Sequence, residues 1–325
     1  MTDHAPRCFL VADVGGTNTR VALSDGAVVR TDTIRRYRNA DQVALEPVLK
    51  DFVSRFGTGT APQGACVAIA GPVRDGKGRL TNRDWMIEAQ SVAEATGIAE
   101  VRVLNDLQAQ GYAVDHVAQE NLLLVRQGKH APEGAAKLVV NLGTGFNASP
   151  VFSPRGGAFV ATSESGHATM PVRTARDMRL NGFVEASHGF AGIDDILSGR
   201  GLERVFAFVA DESGSDKRAD SAAIIAGCAS GDDPLAVEAV SYFIRLTAMV
   251  IGNLALVHLP FGGIYLVGGL SGAIAPFLKQ AGFEDAFRDK GRFAGFMDDF
   301  SISIVQDDYA ALRGMAAYLQ NRLGD

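Results

Sequence analysis

The sequence predicts an α/β fold. Short apolar runs, typical of buried strands, alternate along the 325 residues with longer segments in which apolar residues recur at helical spacing. Two of the strand-like runs lead into a glycine turn and a second strand-like run, which indicates two hairpins. Other runs end directly in polar or glycine residues that open a helix, and ligands bind at such carboxyl ends of strands in open α/β sheets.

The first hairpin joins residues 9–13 to residues 20–24 through a turn with two glycines, Gly15 and Gly16. Glycines let the backbone approach a large anion, and consecutive N–H groups form a concave anion site. Asp13, at the end of the first strand, is a candidate ligand for Mg²⁺. The turn lacks the lysine of a P-loop and does not open a helix as a dinucleotide fingerprint does. An ordinary glycine hairpin is the alternative.

The second hairpin repeats the same plan. Residues 138–142 are an apolar strand, Gly143, Thr144 and Gly145 form the turn, and residues 146–149 begin another strand. This second copy favours a phosphate-binding role for both turns over an ordinary glycine hairpin. Two glycine hairpins that face each other would grip a triphosphate from both sides.

Periodicity and turn residues assign the remaining elements. The predicted strands are 28–37, 65–70, 101–104, 264–267 and 301–305, and the predicted helices are 45–56, 87–96, 107–114, 174–186, 203–210, 221–229, 234–257, 273–280 and 310–323.

Three further groups of residues stand at strand or loop ends. Asn105 and Asp106 lie where a strand ends and a helix begins, where the helix dipole stabilises a carboxylate; a plain N-cap pair is the alternative. The loop 163–167 carries a carboxylate and an imidazole three residues apart, which suits hydrogen bonding to a polyol, although a solvated loop would look the same. Gly268 and Gly269 allow a flat ligand such as adenine to approach, and a tight strand-to-helix turn is the alternative.

Composition narrows the class of protein. Hydrophobic residues make up 47% of the chain and the net charge is −6, so we expect a packed protein of one large or two smaller domains and no nucleic-acid or membrane partner. Three widely spaced cysteines favour neither disulfides nor a zinc site, which indicates the cytoplasm. No signal peptide is expected at the N-terminus. Residues 246–278 lack Asp, Glu, Lys and Arg, but prolines and glycines divide this run into a buried helix and a buried strand.

The order of the motifs resembles the bacterial ATP-dependent glucokinases of the hexokinase and actin-like ATPase superfamily. The shared motifs run from residue 9 to about residue 323, and they are Asp-x-Gly-Gly-Thr-Asn, Leu-Thr-Asn-x-x-Trp, Asn-Asp, Gly-Thr-Gly, Glu-x-Gly-His, Leu-Ser-Gly-x-Gly-Leu and Val-Gly-Gly. The zinc-binding signature of the repressor–kinase group is missing. The resemblance implies a two-domain, actin-like or hexokinase-like (ribonuclease H-like) α/β fold with a central cleft. We expect a small domain of residues 1–112 with 308–325 and a large domain of residues 113–307.

The resemblance also implies roles for individual residues. It makes Asp106 the catalytic base, and it places Asp13 near Mg²⁺ through water. The implied sugar contacts are Asn105, Glu164, His167 and Asp194. The implied nucleotide contacts are Ala12, Asp13, Val14, Gly15, Gly16 and Thr17 in the first phosphate loop, Gly143, Thr144 and Gly145 in the second, and Gly268 and Gly269 beside the adenosine.

The implied reaction is transfer of a phosphoryl group from MgATP to the 6-hydroxyl of glucose or a similar hexose. It gives glucose 6-phosphate and ADP, the first step of glycolysis, in a cytoplasmic homodimer. Three alternatives stay open: a kinase of another hexose or amino sugar, a non-catalytic sugar-responsive repressor, and an actin-like ATP switch.

Three departures from the family pattern bear on the sugar. Asp194 stands where a glutamate is usual and is shorter by about 1.5 Å, so the sugar pocket is altered or Asp195 takes part. The loop before Glu164 lacks the usual Pro-Gly. Phe146 and Asn147 replace a Leu-Gly pair, and we expect them to crowd the phosphate tail.

Overall fold

The computed structural model describes residues 7–56, 61–80, 83–154 and 157–323. The chain forms two compact units: Met1–Ala118 with Ser153–Thr162 and Asp307–Asp325, and Gln119–Phe152 with Ser163–Gln306. The domain boundaries given above stay a prediction, and the unit limits differ from them mainly in the segment Ser153–Thr162. Residues 81 and 82 of the Leu-Thr-Asn-x-x-Trp motif lie outside the described part of the chain.

The strands, in chain order, are β1 (Cys8–Val14), β2 (Asn18–Asp25), β3 (Val28–Val29), β4 (Arg35–Arg38), β5 (Gly64–Ile69), β6 (Val73–Arg74), β7 (Lys77–Arg79), β8 (Met86–Glu88), β9 (Val101–Asn105), β10 (Leu122–Arg126), β11 (Lys137–Leu142), β12 (Phe146–Phe152), β13 (Phe159–Val160), β14 (Ile264–Val267) and β15 (Ile302–Val305).

The helices are α1 (Leu45–Phe56), α2 (Ala89–Thr96), α3 (Asp106–Ala113), α4 (Ala175–His188), α5 (Ile193–Ile196), α6 (Gly199–Glu212), α7 (Ser221–Ser230), α8 (Pro234–His258), α9 (Gly269–Ile274), α10 (Phe283–Arg288) and α11 (Ala310–Leu323). With the strands, they confirm the predicted α/β class.

The sheet of the first unit has the order β3-β2-β1-β5-β9, with β4 also paired to β2. β1 and β2 form the first glycine hairpin, in which Val14 is paired with Thr19. β5 is parallel to β1, and β9 is parallel to β5. The carboxyl ends of β1, β5 and β9 therefore lie along one edge of this sheet, and this edge holds both Asp13 and Asn105.

The sheet of the second unit repeats this arrangement, in the order β10-β15-β14-β11-β12. β11 and β12 form the second glycine hairpin, in which Leu142 is paired with Phe146. β14 is parallel to β11, so that Asn141 is paired with Val267 and the glycines after each strand are neighbours. The two predicted hairpins thus occur in corresponding places in the two units.

Each unit has its own apolar core. Leu10, Leu23 and Phe52 are fully buried in the first core, where α1 packs its apolar side. Phe206 and Phe243 of α6 and α8 are fully buried in the second. α8 is long and apolar enough to cross a membrane by length and composition, but 61% of its most apolar window is buried inside the protein. Core burial accounts for its composition.

Several elements differ from their predicted limits. The predicted strand 28–37 is interrupted by a 3₁₀ turn at Thr31–Thr33, where the buried Thr33 hydroxyl accepts a hydrogen bond from Leu23 N. α6 begins at Gly199 rather than 203, because Ser198 caps it by accepting a hydrogen bond from Gly201 N. α9 begins at Gly269, four residues before the predicted start.

Candidate active site

The first glycine turn is held by a buried asparagine. Asn39 Nδ2 donates a hydrogen bond to Gly15 O at 2.7 Å, and Asn39 N donates to Thr17 O at 2.8 Å. Thr19 Oγ1 donates to Asn39 Oδ1 at 2.8 Å. Because Asn39 has no exposed surface, this network fixes both sides of the turn. The exposed Thr17 and the half-buried Gly16 remain at the tip.

Asp13 lies next to the end of β1 and is half-buried. Its Oδ2 is 3.4 Å from Arg20 Nη1 on the paired strand. Burial raises the pKa of the Asp13 carboxyl, and the Arg20 guanidinium only partly offsets that effect. The side chains of Ala12 and Val14 are buried on either side of it, so only their backbone groups are available to a ligand.

A Mg²⁺ ion fits the chemistry of Asp13. In the described residues no three His, Cys, Asp or Glu side chains form a group that would hold a metal by themselves. Mg²⁺ is commonly held by one or two carboxylates together with phosphate oxygens and water, and it needs no larger protein cage. A single carboxylate beside a glycine turn meets that description.

Asn105 and Asp106 join β9 to α3. Asn105 is the N-cap: its Oδ1 accepts from Leu107 N at 2.9 Å, and its Nδ2 donates to Gly71 O at 3.0 Å. Gln108 completes a capping box with Asn105. Asp106 is the first helical residue, is half-buried, and accepts a hydrogen bond from Leu107 N at its Oδ1. Asn105 is therefore an N-cap, as the alternative interpretation of this pair predicted. The cap also fixes the position of the Asp106 carboxylate, which follows it.

The second glycine turn and the Gly268–Gly269 turn lie side by side in the second unit. A Cβ built on Gly143 would lie 3.8 Å from Gly268 Cα. Gly268 has a φ of +94°, and a Cβ there would lie 2.5 Å from Asn141 Oδ1 and 2.6 Å from Leu142 O. Only glycine allows this contact between the two strand ends.

These turns border a pocket of about 520 Å³, within the usual range for small-molecule sites. Thr144 also lines it. α6 begins at the pocket, where Gly199 N donates to Gly143 O at 2.8 Å, and its N-terminus favours an anion. The sequence analysis missed the following lining residues: Gly199, Ser221, Ala222, Ile225, Leu270 and Ala273.

The loop with Glu164 and His167 lies against the second hairpin. Asn147 Nδ2 donates to Ser163 O at 2.6 Å, and Asn147 Oδ1 accepts from Ser165 N at 3.0 Å. A Cβ on Gly166 would lie only 2.0 Å from Phe146 O, so the loop touches the β12 backbone directly. Glu164 and His167 are both exposed, with 4.0 Å between Oε2 and Nε2. They are available to a ligand.

Asp194 is in the one-turn helix α5 and lies beside the second hairpin, as the loop with Glu164 and His167 does. Its Oδ1 accepts a hydrogen bond from Phe146 N. It also lies beside Gly145, whose Cβ would be 2.8 Å from that oxygen. Asp195 instead caps α5, accepting from Gly192 N, and lies 3.6 Å from Arg204. The structure thus brings Gly145, Glu164, His167 and Asp194 together within one unit.

The expectation that Phe146 and Asn147 crowd the phosphate tail is wrong for these residues. The Phe146 side chain is buried in the second core, with 3% of its surface exposed. Asn147 points to the loop at Ser163 and holds it, as described above. The phenylalanine packs in the core, and the asparagine side chain holds the loop by hydrogen bonds.

Comparison with known proteins agrees with this geometry. The family model described as Glucokinase matches residues 10–322. A glucokinase of Rhizobium meliloti is 31% identical over 319 residues, which cover 98% of this chain and 94% of that protein. A glucokinase of Chromohalobacter salexigens is 30% identical over 315 residues, covering 97% and 98%.

Solved structures agree as well. The glucokinase of an Antarctic psychrotroph superposes with a TM-score of 0.86 at 27% identity, covering 97% of this chain and 99% of that one. The hexokinase-like two-domain fold expected from the motifs is thereby confirmed. The chain is an ATP-dependent hexose kinase, and it belongs to the glucokinase family.

Proposed function

We propose that the chain transfers the terminal phosphoryl group of MgATP to the 6-hydroxyl of glucose, with the residues named above in separate roles. The observation that carries the proposal is the pocket of the second unit, where two parallel strands end in adjacent glycine turns at a helix N-terminus. Such a pocket combines backbone N–H groups, a helix dipole and open space for a nucleotide.

The nucleotide tail and adenosine have separate positions in this proposal. Thr144 and Gly145 bind phosphate oxygens through backbone N–H groups and the threonine hydroxyl. Gly143, whose N–H donates to Gly145 O, leaves room for the phosphates beside them. Gly268 and Gly269 give the adenosine room beside β14, and α7 forms the far wall. The first turn, residues 12–17 of the first unit, is the other proposed phosphate-binding loop.

Asp106 is the proposed catalytic base. A carboxylate at the first position of α3 is held by the helix start, and its ionised form is favoured by the helix dipole. It would orient the sugar hydroxyl and accept its proton as the phosphoryl group transfers. Asn105 positions this carboxylate through the cap, and its second amide hydrogen remains for a sugar hydroxyl.

Glu164, His167 and Asp194 are the proposed contacts to the other sugar hydroxyls. Asp194 Oδ1 is already bonded to Phe146 N, so Oδ2 would face the sugar. A site built from such groups rejects analogues that leave a buried polar group unpaired. Asp13 would hold Mg²⁺ through water, and the bound ion would supply charge neutralisation on the phosphates.

A second candidate is a kinase of another hexose or of an amino sugar. Asp194 favours this candidate. One oxygen of its shorter carboxylate accepts a hydrogen bond from Phe146 N in the second glycine hairpin, so only the other oxygen remains for the sugar. The two candidates differ in which sugar has the highest kcat/KM. For either substrate we propose a cytoplasmic homodimer without a nucleic-acid or membrane partner, in keeping with the net charge of −6.

A pair of tryptophan substitutions on α7 tests the nucleotide pocket. Ala222 and Ala223 are both exposed, but only Ala222 lines the pocket. We expect Ala222→Trp to raise the KM for ATP by at least about 10-fold, because the indole fills space that the adenosine needs. Ala223→Trp should leave that KM within about 2-fold of the unsubstituted chain.

Steady-state kinetics with ATP varied at saturating sugar measures both variants. The KM for sugar and the thermal midpoint serve as controls, and both should be unchanged. Equal ATP kinetics for the two variants would place the nucleotide somewhere other than this pocket.

A further inference from the structure

A second pocket of the second unit has no role in the proposed reaction. It has a volume of about 410 Å³ and lies between the start of α4, the middle of α8 and the end of α10. It shares no lining residue with the nucleotide pocket, and neither Glu164, His167 nor Asp194 lines it. Cationic side chains dominate its polar lining: Arg173, Arg176, Arg245 and Lys290, against the carboxylates Asp177 and Asp289.

Two of the four cations already have carboxylate partners. Arg176 donates to Glu212 at 2.8 Å and to Glu238 at 2.6 Å, and these ion pairs hold it in place. Arg173 lies 3.3 Å from Asp289 in a pair that is more than half exposed on both sides. Exposed pairs of this kind are weak, and an incoming anion would compete for Arg173.

The other two cations, Arg245 and Lys290, form no ion pair within the described part of the chain. Lys290 Nζ instead donates to Asn253 Oδ1 at 2.7 Å and to Met249 O at 3.1 Å. Both acceptors are neutral, and an ammonium group has three hydrogens to donate. Burial lowers the pKa of Lys290, and a bound anion would offset that cost.

The carboxylate of Asp177 already accepts hydrogen bonds at both of its oxygens. Its Oδ1 accepts from the Tyr242 hydroxyl at 2.8 Å, and its Oδ2 accepts from the backbone N of Arg173 and of Thr174 at 3.0 and 2.8 Å. Two guanidinium groups lie near the Tyr242 ring, with Arg176 Cζ at 4.6 Å and Arg245 Cζ at 5.5 Å from the ring centroid. This buried network therefore positions the arginines.

The rest of the pocket is apolar. Val172, Leu246, Met249 and Ala286 contribute to its wall. An inorganic anion would leave this surface against water, whereas an organic body attached to the anion would cover it. The volume also suits a small organic molecule.

We propose that this pocket binds a small organic anion, a phosphate monoester or carboxylate with an apolar body, through Arg245 and Lys290. The charged end lies between these two cations, within reach of Arg173. The apolar end lies against Leu246 and Met249. Binding here does not depend on the proposed kinase reaction, because the two pockets share no residue.

Calorimetric titration with phenyl phosphate tests the site in the full chain. The double variant Arg245→Gln with Lys290→Gln should weaken binding at least about 10-fold, since each removed charge takes at least one charge-assisted hydrogen bond. The matched control is Arg292→Gln with Lys279→Gln, which removes the same two charges from exposed positions outside the pocket. It should bind within about 2-fold of the unsubstituted chain.

Phenol and inorganic phosphate test separately the contacts of the apolar end and of the charged end of the ligand. Both should bind at least about 10-fold more weakly than phenyl phosphate, because each makes only part of the contacts. Phenyl phosphate that binds the double variant as tightly as the control would overturn the site. Phenol that binds as tightly as phenyl phosphate would overturn the claim that the pocket recognises an anion. Matching thermal midpoints for the two double variants exclude misfolding as the cause of a loss.

Discussion

Substitution of Asp106 by Asn should lower kcat for sugar phosphorylation by about 10²- to 10⁴-fold, the range that general-base catalysis supplies. The amide keeps the size of the side chain and an oxygen that accepts from Leu107 N, so α3 keeps its start. What it loses is the ability to take the proton of the attacking hydroxyl. Steady-state kinetics with both substrates varied measures the effect.

Two control measurements show whether the fall in kcat comes from loss of the general base. The affinity for ATP, measured by calorimetry, should stay within about 2-fold, since a base acts on the transition state rather than on nucleotide binding. Asp41→Asn changes an exposed carboxylate of the same unit and should keep the full rate. An Asp106→Asn enzyme with undiminished kcat removes Asp106 from the mechanism.

Substitution of Gly314 by Ala should destabilise the protein by about 2–3 kcal/mol, which is in the upper part of the range for overpacking. Gly314 lies in α11, which packs on α3. A Cβ there would lie 1.9 Å from Ala109 O and 2.8 Å from Ala113 N. Both are backbone atoms of α3, so the helices must separate. Because α3 also begins with Asp106, the same change should lower kcat.

Thermal denaturation measures this effect, and for a chain of this length we expect the midpoint to fall by roughly 3–5 °C. Gly182→Ala in α4 is the matched control, because Gly182 is an exposed helical glycine whose added Cβ meets nothing within 4 Å. Alanine should stabilise that helix by about 0.5–1 kcal/mol. A Gly314→Ala midpoint equal to or above that of the unsubstituted chain would refute the close contact between α3 and α11.

Local signals made much of the fold predictable. Each glycine hairpin is encoded by a run of about a dozen residues, and strand pairing across a short turn follows from that run alone. The limits of α11 could be predicted to the residue because its apolar pattern is regular. The position of Asp106 could be predicted because a strand, a cap and a helix follow one another in sequence.

Contacts between residues far apart in the chain could not be predicted from the sequence. Asn39 holds a turn 24 residues away in sequence, and Asn147 holds a loop 16 residues away, yet each looks like an ordinary polar residue. The wall of the nucleotide pocket at Ala222 and Ile225 comes from a helix whose residues carry no chemical signature. The burial of Phe146 could not be predicted for the same reason, because α5, which contacts β12, comes later in the chain.

Release of ADP upon addition of sugar is the most direct test of the central claim. Purified chain with MgATP should release ADP slowly without sugar and at least about 10²-fold faster with glucose, because the base acts only on a bound acceptor hydroxyl. Glucose should give the highest kcat/KM among glucose, mannose, fructose and glucosamine, with one sugar phosphate formed for each ADP. ADP release at the same rate with and without every sugar would contradict phosphoryl transfer to a hexose by this protein.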